Sequence, residues 1–191
     1  MDVVEQPEDP VAWLRRLAAD AGARALLRSG LGLYGYSLAV EGSVKGSVEA
    51  EGASRLDGRL QPVMTWKAKV IGVEEVPAGA AVGYNGTFIA ERPMRLALVA
   101  AGYADGFRRE LSSTNERAGG WVMVRGQRAN VVGRVSMNLT TVDVSAIGGV
   151  VVGDEAVLLG EGVTAEDHAR IAGTISYEIL CGVRAVERSG R

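Results

Sequence analysis

The sequence predicts a mainly β fold, a barrel or sandwich of about eight short strands carrying one or two short helices. Three observations predict it. Short apolar runs that alternate with polar or smaller residues recur through the second half of the chain, as in Met94–Ala100 and Leu139–Val144. Glycine-rich punctuation separates these runs, and the chain holds 26 glycines against 5 prolines. Helical signals are few there, the clearest being the capping-box sequence Thr164-Ala-Glu-Asp167.

The elements follow in order. Pro10–Arg28 reads as a helix, with Val11, Leu14, Leu17, Ala18 and Ala21 at near-helical spacing, Asp9 as candidate N-cap and Gly22 as a weak point. The stretch Arg28–Gly35 is glycine-rich, and reads either as a plain loop or as a backbone cradle for a phosphate. Glu41–Gly58 lacks any apolar period and reads as a hinge or linker. Val63–Val76 is a long strand with Lys67 and Lys69 on one face, turned at Pro77-Ala78-Gly79. Ala80–Ala90 reads as two short strands around Asn85-Gly86. Trp121–Val124 and Ala129–Met137 flank a hairpin turn at Arg125–Arg128, and Leu139–Val144 and Glu155–Leu159 add two more strands. A helix from Thr164, a helical turn over Thr174–Cys181 ended by Gly182, and a last strand over Val183–Val186 complete the chain.

Composition narrows the function classes. A net charge of −2 offers no electrostatic pull toward nucleic acid. No run of about 18 apolar residues suggests a membrane span, and the acidic Met1–Pro10 stretch does not read as a signal peptide. One cysteine, Cys181, and one histidine, His168, give no internal disulfide, metal cluster or His-based triad. These features are those of a cytoplasmic protein without a metal site. His168 is read as structural, on the solvent face of its helix.

Candidate chemistry is correspondingly sparse. Tyr103 stands where the run Met94–Ala100 hands over to the turn Ala101-Gly-Tyr-Ala-Asp-Gly106, a place where working residues collect. A phenol acts as a general acid or base only when its surroundings tune a pKa that starts near 10, and Arg108 and Arg109 follow closely. Tyr177, Arg28, Arg134 and the backbone at Met137 are the other candidates. Asp105, Asp143, Asp154 and Glu178 have no partner implied by spacing, and read as turn formers or solvated charges.

Six motifs in one order carry a resemblance: Arg28-Ser-Gly-Leu-Gly-Leu-Tyr-Gly35, Leu60-Gln-Pro-Val-Met-Thr-Trp-Lys67, Val82-Gly-Tyr-Asn-Gly-Thr-Phe88, Ala101-Gly-Tyr-Ala-Asp-Gly106, Gly133-Arg-Val-Ser-Met-Asn138 and Thr174-Ile-Ser-Tyr-Glu-Ile179. From about Arg24 to the C-terminus the chain resembles alanine racemase, the bacterial pyridoxal 5'-phosphate (PLP) isomerase that interconverts L- and D-alanine and supplies D-alanine for the cell wall. The resemblance implies residues 1–56 as the helical remnant of an N-terminal (β/α)8 barrel plus hinge, and residues 57–191 as the C-terminal β-domain, a Greek-key-like β-barrel. It implies a head-to-tail dimer whose sites combine one subunit's barrel with the other's β-domain. Tyr103 is then the catalytic tyrosine acting on the α-proton. Arg28 meets the pyridine nitrogen. Gly30 and Leu31 N–H groups hold the PLP phosphate with the Tyr177 hydroxyl, and the Met137 N–H binds the substrate carboxylate. Arg134, Asn138 and Ile175 line the entrance.

The departures from the family pattern matter too. The only lysines are Lys45, Lys67 and Lys69, none in the barrel stretch where the family carries its PLP lysine. Ser29 stands where proline is usual, and Asn138 where aspartate is usual, which opens the choice to a serine/alanine racemase. The chain is therefore expected to be a C-terminal portion, inactive alone, that forms a homodimer or pairs with a separate barrel. Its first 50 or so residues are expected to be disordered, swapped onto a neighbour or docked on the β-domain. The competing reading is a non-catalytic dimerisation or assembly module.

Overall fold

The computed structural model describes residues 10–26, 30–35 and 62–184. The linker read over Glu41–Gly58 and the N-cap at Asp9 lie outside the described residues, as does Arg28. Helix α1 spans Pro10–Asp20 and stops short of the predicted Arg28, because the chain turns at Ala21-Gly22, where φ is +64°. A 3₁₀ turn covers Gly30–Tyr34, and the Val63 N–H donates to the Tyr34 carbonyl at 3.2 Å, tying this turn to the strands that follow.

Eight strands build the rest: β1 (Trp66–Val76), β2 (Ala81–Val82), β3 (Phe88–Ile89), β4 (Met94–Val99), β5 (Trp121–Val124), β6 (Gln127–Asn130), β7 (Thr140–Asp143) and β8 (Glu155–Leu159). Helices α2 (Ala165–Ala172) and α3 (Ser176–Gly182) follow the last strand. Six strands form one antiparallel sheet in the order β6-β5-β8-β1-β4-β7, while β2 and β3 pair separately. β1 is the spine. Trp66–Lys69 pair with β8, Val70–Val76 pair with β4, and register breaks at Trp66/Lys67 and Val70/Gly72 bend it between the two partners. The bend carries the sheet's edges toward each other, and the Val131–Val142 bridge joins them into a nearly closed barrel.

The core lies inside this curve. Val70, Val99, Val122, Val124, Val142, Ala156 and Leu158 are fully buried, together with Phe107 and Leu111 from the segment after β4. β4 does not keep one inward face. Ala97 and Val99 face the main core, while Met94 and Leu96 on the opposite face pack in a second cluster with Val82, Ala90 and Val132. Lys67 and Lys69 do share a face, at 3.0 and 3.6 Å from Glu155. The hairpin turn is tighter than predicted: Arg125-Gly126 alone make it, both with positive φ, and the strand after it ends at Asn130. Thr164 and Asp167 form the predicted capping box, and Gly173 ends α2 at φ +68°. Val183 and Arg184 form no strand, because their N–H groups donate to Leu180 and Asp105. Among the described residues no helix is long and apolar enough to cross a membrane.

Candidate active site

β4 delivers Tyr103. After Val99 the Ala100 N–H still donates to Lys69, and the buried Thr140 hydroxyl holds the Ala101 carbonyl at 2.7 Å. The chain then turns. The Asp105 carboxylate accepts the Gly102 N–H at 2.9 Å, and the Phe107 N–H returns to the Gly102 carbonyl. Phe107 is buried completely, against Trp66 and His168, and so anchors the turn from below. Tyr103 itself stays 44% exposed.

The turn rests on the Gly133–Asn138 segment. Tyr103 donates its N–H to Ser136 at 3.0 Å and Ala104 donates to Met137 at 2.8 Å. A Cβ on Gly102 would lie 2.2 Å from the Ser136 oxygen, so the two backbones approach this closely only because residue 102 is glycine. Tyr103 and Met137 are thereby neighbours. The Met137 N–H donates to no group among the described residues, and the Met137 side chain is exposed. Asn138 is exposed beside it, and Arg134, half-buried, makes no ion pair among the described residues. The Tyr84–Gly86 turn packs over this segment, with Gly83 against the Arg134 backbone and Gly133 against the Val82 carbonyl.

A second cluster forms around Tyr177. Gly30 opens its 3₁₀ turn at φ +52°, and a Cβ there would sit 2.9 Å from the Tyr177 hydroxyl. The Gly30 and Leu31 N–H groups stand at the start of that turn, where no preceding carbonyl of the turn can accept them. Ile175, at the N-cap of α3, is exposed. No hydrogen bond or ion pair among the described residues links the pair Tyr103–Met137 directly to the pair Gly30–Tyr177.

The charges near Tyr103 are arranged otherwise than the sequence suggested. Arg108 meets Glu178 at 2.9 Å and Glu110 at 3.4 Å. The hydrogen bond from Arg108 to Glu178 raises the guanidinium's pKa, while the Thr174 hydroxyl and then Arg108 hold the Glu178 carboxyl below its ordinary range. Asp143 and Asp154 likewise gain partners distant in sequence, Arg92 and Arg125. These carboxylates are turn formers, as read, but not merely solvated. His168 is a plain correction: it is 1% exposed, edge-on to Phe107, with Nε2 3.4 Å from the Trp121 carbonyl. Burial pushes its pKa down to about 4.

This barrel, with a tyrosine turn braced on a Gly-Arg-x-Ser-Met loop, has close known counterparts. Residues 63–189 match the family profile described as "Alanine racemase, C-terminal domain". The chain belongs to the alanine racemase family through this domain. It is 50% identical over 128 residues to the alanine racemase of Syntrophobacter fumaroxidans, covering 65% of this chain and 33% of that protein. It superposes on the biosynthetic alanine racemase of Pseudomonas aeruginosa with a TM-score of 0.67 at 39% identity, covering 86% of this chain and 42% of that one. The alanine racemase of Bartonella henselae, solved with covalently bound pyridoxal phosphate, matches with a TM-score of 0.64 at 29% identity, over 81% of this chain and 38% of that one. The chain spans between a third and a half of the length of the curated relatives it matches.

Proposed function

We propose that this chain contributes to the site of a PLP-dependent racemase acting on alanine or another small amino acid, with Tyr103 as one of its two acid/base groups. The observation that carries the reading is the pairing of Tyr103 with the open Met137 N–H, fixed by the two backbone bonds to Ser136 and Met137. One donor is placed to hold a carboxylate and one phenol stands beside it. The Tyr103 oxygen takes the α-proton on the L face in one direction and returns it in the other.

The chain also fits the cofactor's phosphate end. A side chain at residue 30 would fill the space beside the Tyr177 hydroxyl, and the Gly30 and Leu31 N–H groups, without an acceptor among the described residues, point to an anion cradle there. Arg28, Gly30, Leu31 and Tyr177 are the residues that would hold PLP. When bound, PLP withdraws electrons from the amino acid's α-carbon and makes its proton removable. The covalent attachment needs a lysine, and Lys45, Lys67 and Lys69 do not stand in the family's barrel stretch. We therefore read residues 1–56 as the end of a PLP barrel plus hinge and residues 57–191 as the β-domain. The two clusters belong to two different sites, completed by a second copy or by a separate barrel, in the cytoplasm. Exposed Asn138 at the entrance leaves serine as an alternative substrate.

The test is a chimera in which residues 63–184 replace the matching segment of the Syntrophobacter fumaroxidans relative. α-Proton exchange of L-alanine in D₂O, followed by NMR with PLP present, is expected for the chimera and not for the chain alone. Tyr103→Phe is expected to lower it at least ~100-fold. A folded chimera whose exchange is indifferent to Tyr103→Phe removes the catalytic reading, and leaves the assembly module.

A further inference from the structure

The turn that carries Tyr103 and the helix that carries Tyr177 are locked together by contacts remote in sequence. Gly106 has φ +105°, and a Cβ there would lie 2.3 Å from the Gly182 oxygen, so backbone packs directly on backbone at the end of α3. The Arg184 N–H donates to the Asp105 carbonyl at 2.8 Å. These neutral contacts have no side chain to define how the turn is rotated on the helix. One charged contact spans the same seam. Arg108 Nη1 reaches Glu178 Oε1 at 2.9 Å, with Arg108 only 26% exposed and Glu178 53% exposed. Glu178 is held from its own side by the Thr174 hydroxyl, and Arg108 by Glu110. A guanidinium fork between two carboxylates has one preferred orientation, which a bare backbone contact lacks.

We propose that Arg108 and Glu178 are positioning residues for Tyr103. Their ion pair sets the register of the Tyr103 turn on α3, and couples the phenol to the helix that presents Ile175 and Tyr177. The turn is gripped on its other side by Ser136 and Met137, so releasing α3 lets it pivot about that grip and swings the phenol. Both residues line the open groove of about 450 Å³ that also contains Tyr103, Cys181 and Arg184. The consequence for turnover rests on the racemase reading above; the mechanical coupling does not.

The experiment uses the full chain with ¹³C-labelled tyrosine, the Tyr103 ring signal being assigned by its loss in Tyr103→Phe. Glu178→Gln and Arg108→Met are each expected to move that signal and to speed amide exchange over residues 102–107 by about 3- to 5-fold, the scale of a partly exposed pair. The double variant is expected to equal Arg108→Met alone, since the contact with Glu178 is already lost there. Raising salt to 1 M is expected to move the wild-type signal in the same direction, a readout that needs no variant to fold. Glu155→Gln, which breaks a pair on another face of the barrel with Lys67 and Lys69, is expected to leave the signal in place. An unmoved Tyr103 signal in both single variants, additive effects in the double variant, or insensitivity to salt each overturns the proposal. None of these readouts needs turnover. An inactive chimera with a signal that still responds removes the racemase reading alone, and an active chimera with an unmoved signal removes the positioning role alone.

Discussion

His168 makes the stability of this domain depend on pH between the ordinary imidazole value of 6.5 and about 4. Its imidazole is buried between α2, Phe107 and the Trp121 carbonyl, with Asp167 the nearest charge, and burial lowers its pKa from 6.5 to about 4. The unfolded chain takes up a proton near pH 6.5 and the folded one only near 4, so between these values the unfolded state binds more protons and stability falls as pH falls. The gap corresponds to roughly 3 kcal/mol in total, about 1.4 kcal/mol per pH unit, complete near pH 4 and absent above about 7. The carboxyls held low by hydrogen bonds and cations, among them Glu110, Asp154 and Glu178, contribute a loss of stability in the same direction as pH falls, but they are common to wild type and variant. Glu166 is raised by burial and acts with the opposite sign, but it is common to wild type and variant. Urea unfolding followed by tryptophan fluorescence at several pH values is the assay, with His168→Gln beside the wild type. With an m-value of roughly 2 kcal/mol/M, the wild-type midpoint is expected to drop by about 1 M or more between pH 7 and pH 4.5. The variant, less stable at pH 7, is expected to lose most of that slope. Parallel curves for the two proteins would refute the argument, since the slope would then belong to other groups.

Other outcomes follow from the same geometry. Gly102→Ala puts a Cβ 2.2 Å from the Ser136 oxygen, backbone against backbone, and is expected to cost at least ~3 kcal/mol, read as a drop in Tm. Gly30→Ala meets both the positive φ of +52° and the Tyr177 hydroxyl, and is expected to cost about 1 kcal/mol locally. It should also weaken PLP uptake in the chimera, followed by cofactor absorbance. Thr164→Ala removes the capping box of α2 and is expected to cost about 1 kcal/mol in denaturant unfolding.

What could be read from the sequence was local. The alternation in β7 and β8, the Asn85-Gly86 turn, the Thr164 capping box and the handover from β4 to the Tyr103 turn each rest on neighbours a few residues apart. The burial of β4 on both faces was less legible, because its second face is covered by Val82, Ala90 and Val132 from segments far from it in pairing, which no single-strand pattern reports. His168 misled through its chemistry. It lies three residues after Ala165 and one before Ala169, both buried, so its position belongs to the apolar stripe although its polarity suggests solvent. The Val183–Val186 run looked like a strand because it is apolar, yet Val183 caps α3 and Arg184 is claimed by Asp105. The Arg108–Glu178 pair joins segments far apart in the chain, and spacing is silent on such a contact.

That pair also settles which groups surround the phenol. From sequence, Arg108 was a candidate to tune Tyr103; in the fold its charge faces Glu178 and Glu110 instead. The Tyr103 hydroxyl makes no hydrogen bond among the described residues, while its backbone is fixed on both sides, by Ser136 and Met137 on one and by α3 on the other. The domain therefore provides placement for the phenol. A phenol carries protons near neutral pH only where charged or hydrogen-bonding groups act on it. On the proposed racemase reading, the exposed face of Tyr103 is where such groups from a second chain or barrel would be brought up.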